Sequence, residues 1–233
     1  AFLFGRLGWV PLNGLLIVSG SFSVFKKQAV IKVGGYSTGT IGEDMELIVR
    51  LHHYHRTNGI PYTIAAIPEP IAFTEAPEDL SSLRNQRIRW QRGLSESLSK
   101  NIDLLLHPKG GTVGWISFPV TLFFEWFGPI IEFSGYLFFL IGFWLGIIST
   151  EALVAFLILS VGFSLFISII TIILEEISFK VYPRAMSIFY LLLAALLENL
   201  GFRQINTLWR LEGIFSWLFR TRRGWGTIRR RGV

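Results

Sequence analysis

The 23 positions from Ala152 to Leu174, ALVAFLILSVGFSLFISIITIIL, contain no charged residue and are closed by Glu175 and Glu176. A helix rises ~1.5 Å per residue, so a run of this length spans a hydrocarbon core ~30 Å thick and reads as a transmembrane helix. The stretch Val113 to Ser149 is too long for one crossing, and Gly128 with Pro129 offers a break in its middle. It reads as two segments, one of which has an interfacial alternative. Ser187 to Leu200 is shorter and needs its amphipathic continuation through Trp209 to cross, the alternative being a helix lying partly in the interface. Four crossings result, an even number if both flanks share the cytoplasmic side. Glu125, Glu132 and Glu198 fall within these segments. An acid inside a membrane is a functional candidate because of its desolvation cost; near a helix end it simply reaches headgroups, the reading preferred for at least two of the three.

Half of the 233 residues are hydrophobic and 16% are charged, and the halves of the chain differ. Up to about residue 110 charged, polar and apolar residues mix with Gly and Pro, as in a soluble domain; beyond it Leu, Ile, Phe and Val dominate. Three regions follow: a soluble part over 1–110, transmembrane and interface helices over 111–209, and a basic tail over 210–233. With no cysteine, disulfides and thiolate chemistry are excluded. Ala1 to Val10 carries neither a basic leader nor a cleavage site, so the chain is expected to begin inside a longer protein. The net charge of +6 is concentrated at the C-terminus, where residues 201 to 233 hold eight arginines against Glu212. Directly after hydrophobic spans, such a tail reads as a cytoplasmic anchor under the positive-inside rule rather than as a nucleic-acid patch. A multi-pass protein of the plasma (inner) membrane, with its soluble part and tail cytoplasmic, is expected.

The soluble part alternates in type. Its pattern predicts a strand or loop, a short helix closed by Gly34 and Gly35, a helix from about Glu43 to Thr57, a strand around Tyr62 to Ile67, and a helix opened by Pro77. This is the alternation of an α/β sheet domain, here only part of one. In GEDMEL, Glu43 and Asp44 open a helix, where the macrodipole accounts for one acid. The preceding loop GYSTGTIG is rich in Gly, Ser and Thr, so the other carboxylate is equally a candidate general base facing a pocket. In RNQRIRWQRG, residues 84 to 93, Gln86, Arg89 and Trp90 fall at i, i+3 and i+4 on one helical face. A guanidinium fork matches phosphate oxygens and an indole face stacks on sugars, so the trio suits a sugar phosphate. Arg84, Arg87 and Arg92 point elsewhere and read as a solvated or headgroup-facing surface. His52, His53 and His55 lack the i, i+4 pair of a zinc helix and read as an exposed helix end. Glu78 and Asp79 follow Pro77 and read as first-turn acids, leaving Glu75 as a second candidate base.

A Glu-Asp pair opening a helix, then Gln-x-x-Arg-Trp some forty residues on, then apolar spans, resembles the membrane-integrated family 2 glycosyltransferases of the cellulose, hyaluronan and poly-N-acetylglucosamine synthase type, in their C-terminal part. The resemblance implies the C-terminal part of a GT-A catalytic domain followed by a multi-pass α-helical region, and inverting transfer from a nucleotide sugar donor to a saccharide or glycolipid acceptor at the bilayer, with no nucleic acid involved. Carried over, Asp44 is the base, Glu43 accompanies it, Gln86 and Arg89 hold the donor diphosphate, and Trp90 lies under the acceptor sugar. SGSF, with Ser19, Gly20 and Ser21, resembles the loop near the acceptor. RRGWGTIRRR resembles the gating segment of hyaluronan-synthase-like members, which implies Trp225, Gly226 and Thr227 at the site mouth with Arg222 and Arg223 nearby. The family uses Mg2+ or Mn2+ on acids that precede the Glu-Asp motif, yet no Asp or Glu occurs before Glu43. The metal ligands are therefore expected outside this chain, and the chain alone is expected to be inactive. The alternative is a non-catalytic membrane scaffold or pseudoenzyme remnant whose arginine-rich tail binds anionic lipid.

Overall fold

A computed structural model of the chain describes residues 2–18, 20–67, 71–72, 74–179 and 185–220. Among them the chain is helical and contains no strand: α1 (Phe2–Leu7), α2 (Lys27–Lys32), α3 (Glu43–Thr57), α4 (Leu80–Lys100), a 3-10 turn (Ile102–Leu104), α5 (Phe118–Val120) between two π-helical turns (Val113–Ser117 and Thr121–Trp126), α6 (Gly128–Trp144), α7 (Thr150–Phe179), α8 (Ala185–Leu197), a third π turn (Glu198–Phe202) and α9 (Arg203–Leu218). The expected α/β class, with part of a GT-A domain, is therefore corrected to an all-helical one over the described residues. The physical reason lies at 62–67, the predicted strand. A strand needs a neighbouring strand to take up its backbone groups, and none is present among the described residues. Instead the side-chain amide of Asn13 does this locally, donating from Nδ2 to the Tyr62 carbonyl at 2.9 Å and accepting from the Ile64 N–H at 3.0 Å.

The chain divides into two compact units. The first comprises residues 6–128 with the segment from 209 onward. Its core is Leu16, Met45, Val49, Leu94, Leu98, Leu104, Val113 and Phe118. Met45 and Val49 lie one turn apart on α3, and Leu94 and Leu98 one turn apart on α4, the spacing that gives each helix one apolar stripe. Helix α2 ends where Gly34 and Gly35 take φ of 87° and 77°, values open to glycine. Arg50, paired to Glu46 at 2.9 Å, closes that end by donating to the carbonyls of Val33 and Gly35. Helix α4 begins later than Pro77 predicts. Asp79 is its N-cap, accepting from Ser82 N at 2.8 Å and from the Ser82 hydroxyl at 2.7 Å, so Glu78 lies outside the helix.

The π turns flank Pro119, which has no N–H to give the carbonyl four residues earlier and so disturbs the α ladder around it. Pro129 likewise has nothing to return to the carbonyl of Glu125. That freed oxygen accepts instead from Gln91 Nε2 at 3.3 Å and from Arg210 Nη2, while Arg210 Nε donates to Gln91 Oε1 at 2.9 Å. Arg210 also pairs with the Glu125 carboxylate at 3.2 Å. Further contacts bind residues 209–218 to α4 and its surroundings. Arg84 makes a two-pronged pair with Glu212, Trp126 donates to Ser95 Oγ at 2.8 Å and meets Trp217 edge-on, and Gly213 packs so closely that a Cβ there would sit 2.8 Å from both the Ile88 carbonyl and Gln91 Cβ.

The second unit comprises residues 2–5 and 129–208. Helices α6 and α7 are joined by a turn in which the Gly142 carbonyl accepts from Ile147 N and Ile148 N and Gly146 takes φ of 70°, and Phe139 stacks on Phe156. Of the three acids within the apolar segments, Glu132 is paired inside this unit. Its carboxylate accepts from Tyr136 Oη and Arg203 Nε, both at 2.6 Å, and Arg203 reaches Ser164 at 3.0 Å, the pairing that a charge among apolar helices requires. Between α8 and α9 the backbone leaves helical geometry at Leu200 and Gly201, and the Gly201 N–H donates to Gln204 Oε1 at 2.9 Å. Three helical stretches are long and apolar enough to cross a membrane, Val113–Trp144, Thr150–Phe179 and Met186–Leu218, so the chain is a multi-pass membrane protein with three such stretches among the described residues rather than four.

Candidate functional site

Helix α3 starts with Glu43, Asp44 and Glu46 in its first turn and no side-chain cap at Gly42. Asp44 Oδ1 accepts from its neighbour's N–H, Met45 N, at 2.8 Å. The other oxygen, Oδ2, faces Gly20, where a Cβ would come within 2.5 Å of it. A side chain at position 20 would push this carboxylate aside. The two elements share a pocket of about 510 Å3 lined by Gly20, Ser21, Phe22, Ser23, Phe25, Tyr36, Glu43 and Asp44. Phe25 and Tyr36 meet edge-on at 6.4 Å between ring centres and form an aromatic wall. The pocket therefore brings two carboxylates and the hydroxyls of Ser21, Ser23 and Tyr36 together with aromatic rings, a combination suited to a polyhydroxylated ligand.

The loop bearing Gly20 is anchored by His52, which is 0% exposed and not at an exposed helix end as its cluster predicts. Its Nε2 lies 2.9 Å from the Leu15 carbonyl and its Nδ1 2.5 Å from Tyr62 Oη. A carbonyl only accepts, so Nε2 carries the proton and Nδ1 accepts from the phenol. Burial pushes the imidazole down to about 4, against the Leu15 bond that favours its charged form and with help from Arg56 and His55, so it is neutral at pH 7. Tyr62 in turn accepts from Arg56 Nε at 3.1 Å, and burial raises its phenol. Among the described residues no three His, Asp or Glu side chains gather closely enough to hold a metal ion.

On α4, Trp90 is 50% exposed and carries the Arg87 guanidinium 4.8 Å from its ring centre. Gln86 and Arg89 are half-buried. The two motif regions approach through glycines: a Cβ on Gly42 would lie 3.0 Å from Gly93 Cα, and the reverse holds at the same distance. Gly93 is one turn beyond Arg89 and Trp90, so the mouth of α3 meets α4 beside the motif. Of the neighbouring arginines, Arg84 is exposed as its pattern predicts, whereas Arg92 is not. Arg92 pairs with Glu96 at 2.9 Å with both side chains largely covered, and Arg84 pairs with Glu212. Glu75 is exposed and does not line the pocket. Ser19 and the segment with Arg222, Arg223, Trp225, Gly226 and Thr227 lie outside the described residues.

Several participants carry no signal in the linear pattern. Phe25 and Tyr36 bracket α2 and reach the pocket only because α2 folds back between them. Arg6 is another. Burial lowers its guanidinium to about 10, an effect opposed by the nearby charges of Glu125 and Asp44, and it stays cationic at neutral pH in the field of the candidate carboxylate. Gln91 is hidden in the sequence beside a more conspicuous amide, Gln86, and is buried against Arg210.

A sequence profile for the family described as glycosyl transferase family group 2 matches residues 9–198. The poly-beta-1,6-N-acetyl-D-glucosamine synthase of Staphylococcus aureus (strain COL) is 37% identical over 84 residues, which are 36% of this chain and 19% of that protein. The protein of the same description from Staphylococcus epidermidis (strain ATCC 35984) is 33% identical over 84 residues, with the same shares. The matched stretch thus spans about a fifth of the length of these curated relatives. No solved structure gives a significant match.

Proposed function

The chain belongs to glycosyl transferase family group 2, and we propose on that footing that it supplies the acceptor-side and membrane portion of an inverting glycosyltransferase, which moves a sugar from a nucleotide sugar to a polysaccharide or lipid-linked acceptor. The observation that carries the reading is the Asp44 carboxylate at the pocket, with one oxygen held by Met45 N–H and the other turned to the Gly20 loop. In this reading Asp44 takes the proton of an acceptor hydroxyl. The hydroxyl oxygen bonds to the anomeric carbon from one face as the bond to the diphosphate oxygen breaks on the other, and the electron pair leaves with the diphosphate. Arg89 and Gln86 hold that diphosphate, an Arg fork matching its charge. Trp90, half exposed, offers its face to the acceptor sugar, and Ser19, Gly20, Ser21 and Glu43 border the acceptor. Trp225, Gly226, Thr227, Arg222 and Arg223 are assigned to closing over the nucleotide.

A divalent cation, Mg2+ or Mn2+, belongs to this chemistry in the family, but the described residues offer no set of ligands that fits one. No step is routed through it, and its ligands are proposed to lie outside this chain. Residues 1–110, 111–209 and 210–233 are proposed as catalytic, membrane and gating regions, with the first and last cytoplasmic. Because relatives are described as N-acetylglucosamine polymer synthases, a nucleotide-activated N-acetylglucosamine is the first donor to try.

The test uses the full-length protein in membranes with a panel of nucleotide sugars and either cation. Asp44→Asn is expected to lower transfer about 10²–10⁴-fold, the usual worth of a general base, while donor binding persists. Equal transfer by the variant, or none by the wild type with any donor, would instead favour a scaffold that binds anionic lipid.

A further inference from the structure

Asp44 and the trio Gln86, Arg89 and Trp90 come from different helices, and something must fix the distance between them. The loop that delivers Asp44, residues 37–42, is attached to α4 along its length. At its end the Gly42 and Gly93 backbones touch. One turn further along α4, Glu96, whose side chain is 13% exposed, reaches over the loop: Oε2 accepts from Thr40 Oγ1 at 2.9 Å and from Ile41 N at 2.8 Å, and Oε1 accepts from Arg92 Nε at 2.9 Å. Ser97 Oγ lies 3.5 Å from the Gly42 carbonyl and donates to that of Gly93. Lys100 Nζ donates to Ser37 Oγ and the Gly39 carbonyl at 3.0 and 3.1 Å.

Gly93, Glu96, Ser97 and Lys100 stand at i, i+3, i+4 and i+7, and continued upstream the same stripe carries Arg89, Trp90 and Gln86. One face of one helix thus bears the proposed donor grip at its start and the clamp on the base loop at its end. Glu96 holds a loop N–H and a loop hydroxyl with one oxygen while its other oxygen is tied back to α4, so it couples the loop to the helix more tightly than Ser97 or Lys100 does.

We propose that Glu96 is a positioning residue for Asp44, setting the base at its working distance from Arg89 and Trp90 without touching substrate itself. The proposal rests on the assignment of Asp44 as the base. Removing the carboxylate takes it from the Ile41 N–H and the Arg92 guanidinium and frees the loop, whereas the donor grip upstream is untouched. A base misplaced by ~1 Å costs on the order of 10²-fold in rate.

Two measurements on the full-length protein test it. In kinetics, Glu96→Ala is expected to lower kcat roughly 10²-fold with the donor KM within about 3-fold, and Glu96→Gln, which keeps an acceptor oxygen for Thr40 and Ile41, to recover most of the loss. A variant with unchanged kcat, or one in which Gln is no better than Ala, overturns it. In spectroscopy, nitroxide labels at Thr38→Cys and Ser99→Cys, with any cysteine outside residues 1–233 replaced by serine, since this stretch itself has none, are expected to give a narrow distance distribution that broadens in Glu96→Ala and narrows again in Glu96→Gln. A distribution that stays narrow in Glu96→Ala overturns the clamp whatever the activity. Broadening in an enzyme whose Asp44→Asn variant transfers normally upholds the clamp and sinks the assignment of Asp44.

Discussion

A single buried imidazole gives this protein a pH-dependent stability that its sequence conceals. His52 is pushed down to about 4 in the folded chain, against ~6.5 when unfolded. Between those values the unfolded chain binds a proton that the folded chain refuses. Its contribution is therefore complete above ~6.5 and is lost as pH falls towards 4, by roughly 3 kcal/mol in the limit. Melting of the purified protein at pH 7 and pH 5 is expected to show a larger drop in wild type than in His52→Gln; equal drops would contradict this. The three-histidine pattern misleads because burial is decided by partners distant in sequence: the Leu15 carbonyl, 37 residues away, accepts from Nε2–H, and Tyr62, 10 away, supplies the phenol. Asp44 is legible as a candidate because acid residues at a helix start carry a local signal. That one of its oxygens faces Gly20 is not, since only the folded loop brings the two together.

Elements are legible where their cause is local. Helix α3 runs from Glu43 to Thr57, as the periodicity predicts, and α2 ends at its glycine pair. The start of α4 moves to Leu80 because an Asp79 side chain that caps Ser82 N outweighs the preference of Pro77 for a first turn. Arg92 of α4 misleads for a different reason: a helical wheel shows which residues share a face and says nothing about what covers it. Residues 209–218 cover one such face, with Glu212 on Arg84 and Arg210 on Gln91. The tightest point is Gly213, where an added Cβ would lie 2.8 Å from the Ile88 backbone oxygen, an atom that cannot swing aside. Gly213→Leu should therefore destabilise by about 1–3 kcal/mol, the usual scale of overpacking, read as a lowered melting temperature. A neutral effect would mean that this contact is loose.

For the molecule as a whole, the membrane class is legible because twenty-odd apolar residues in succession have no other common solution. The number of crossings is not, since length alone does not say where a long apolar stretch turns along the interface. Contacts between α4 and residues 209–218 hold these two segments in one compact unit. If both lie on one side of a bilayer, an even number of complete crossings separates them, and one of the three apolar stretches turns back without crossing. The shortest of their long helices, α8, has 13 residues and rises about 20 Å, less than a ~30 Å core. Single cysteines at Glu78 and Arg220 are expected to react with an impermeant reagent from the same side of sealed vesicles. Reaction from opposite sides would show three full crossings.

Sequence alone determined that the chain carries long apolar helices and where α2 and α3 lie, because hydropathy, capping and helical spacing act over a few neighbouring positions. Tertiary structure decided the fold class and the linkage of the site. The stretch expected to be a strand found a side-chain amide from Asn13 where a sheet would have supplied a second strand, and the loop of residues 37–42 found Glu96, 55 positions from Ile41, to hold it. Both outcomes depend on which distant groups meet a backbone N–H or C=O, and an unpaired buried group costs enough that the available partner, not the local preference, settles the conformation.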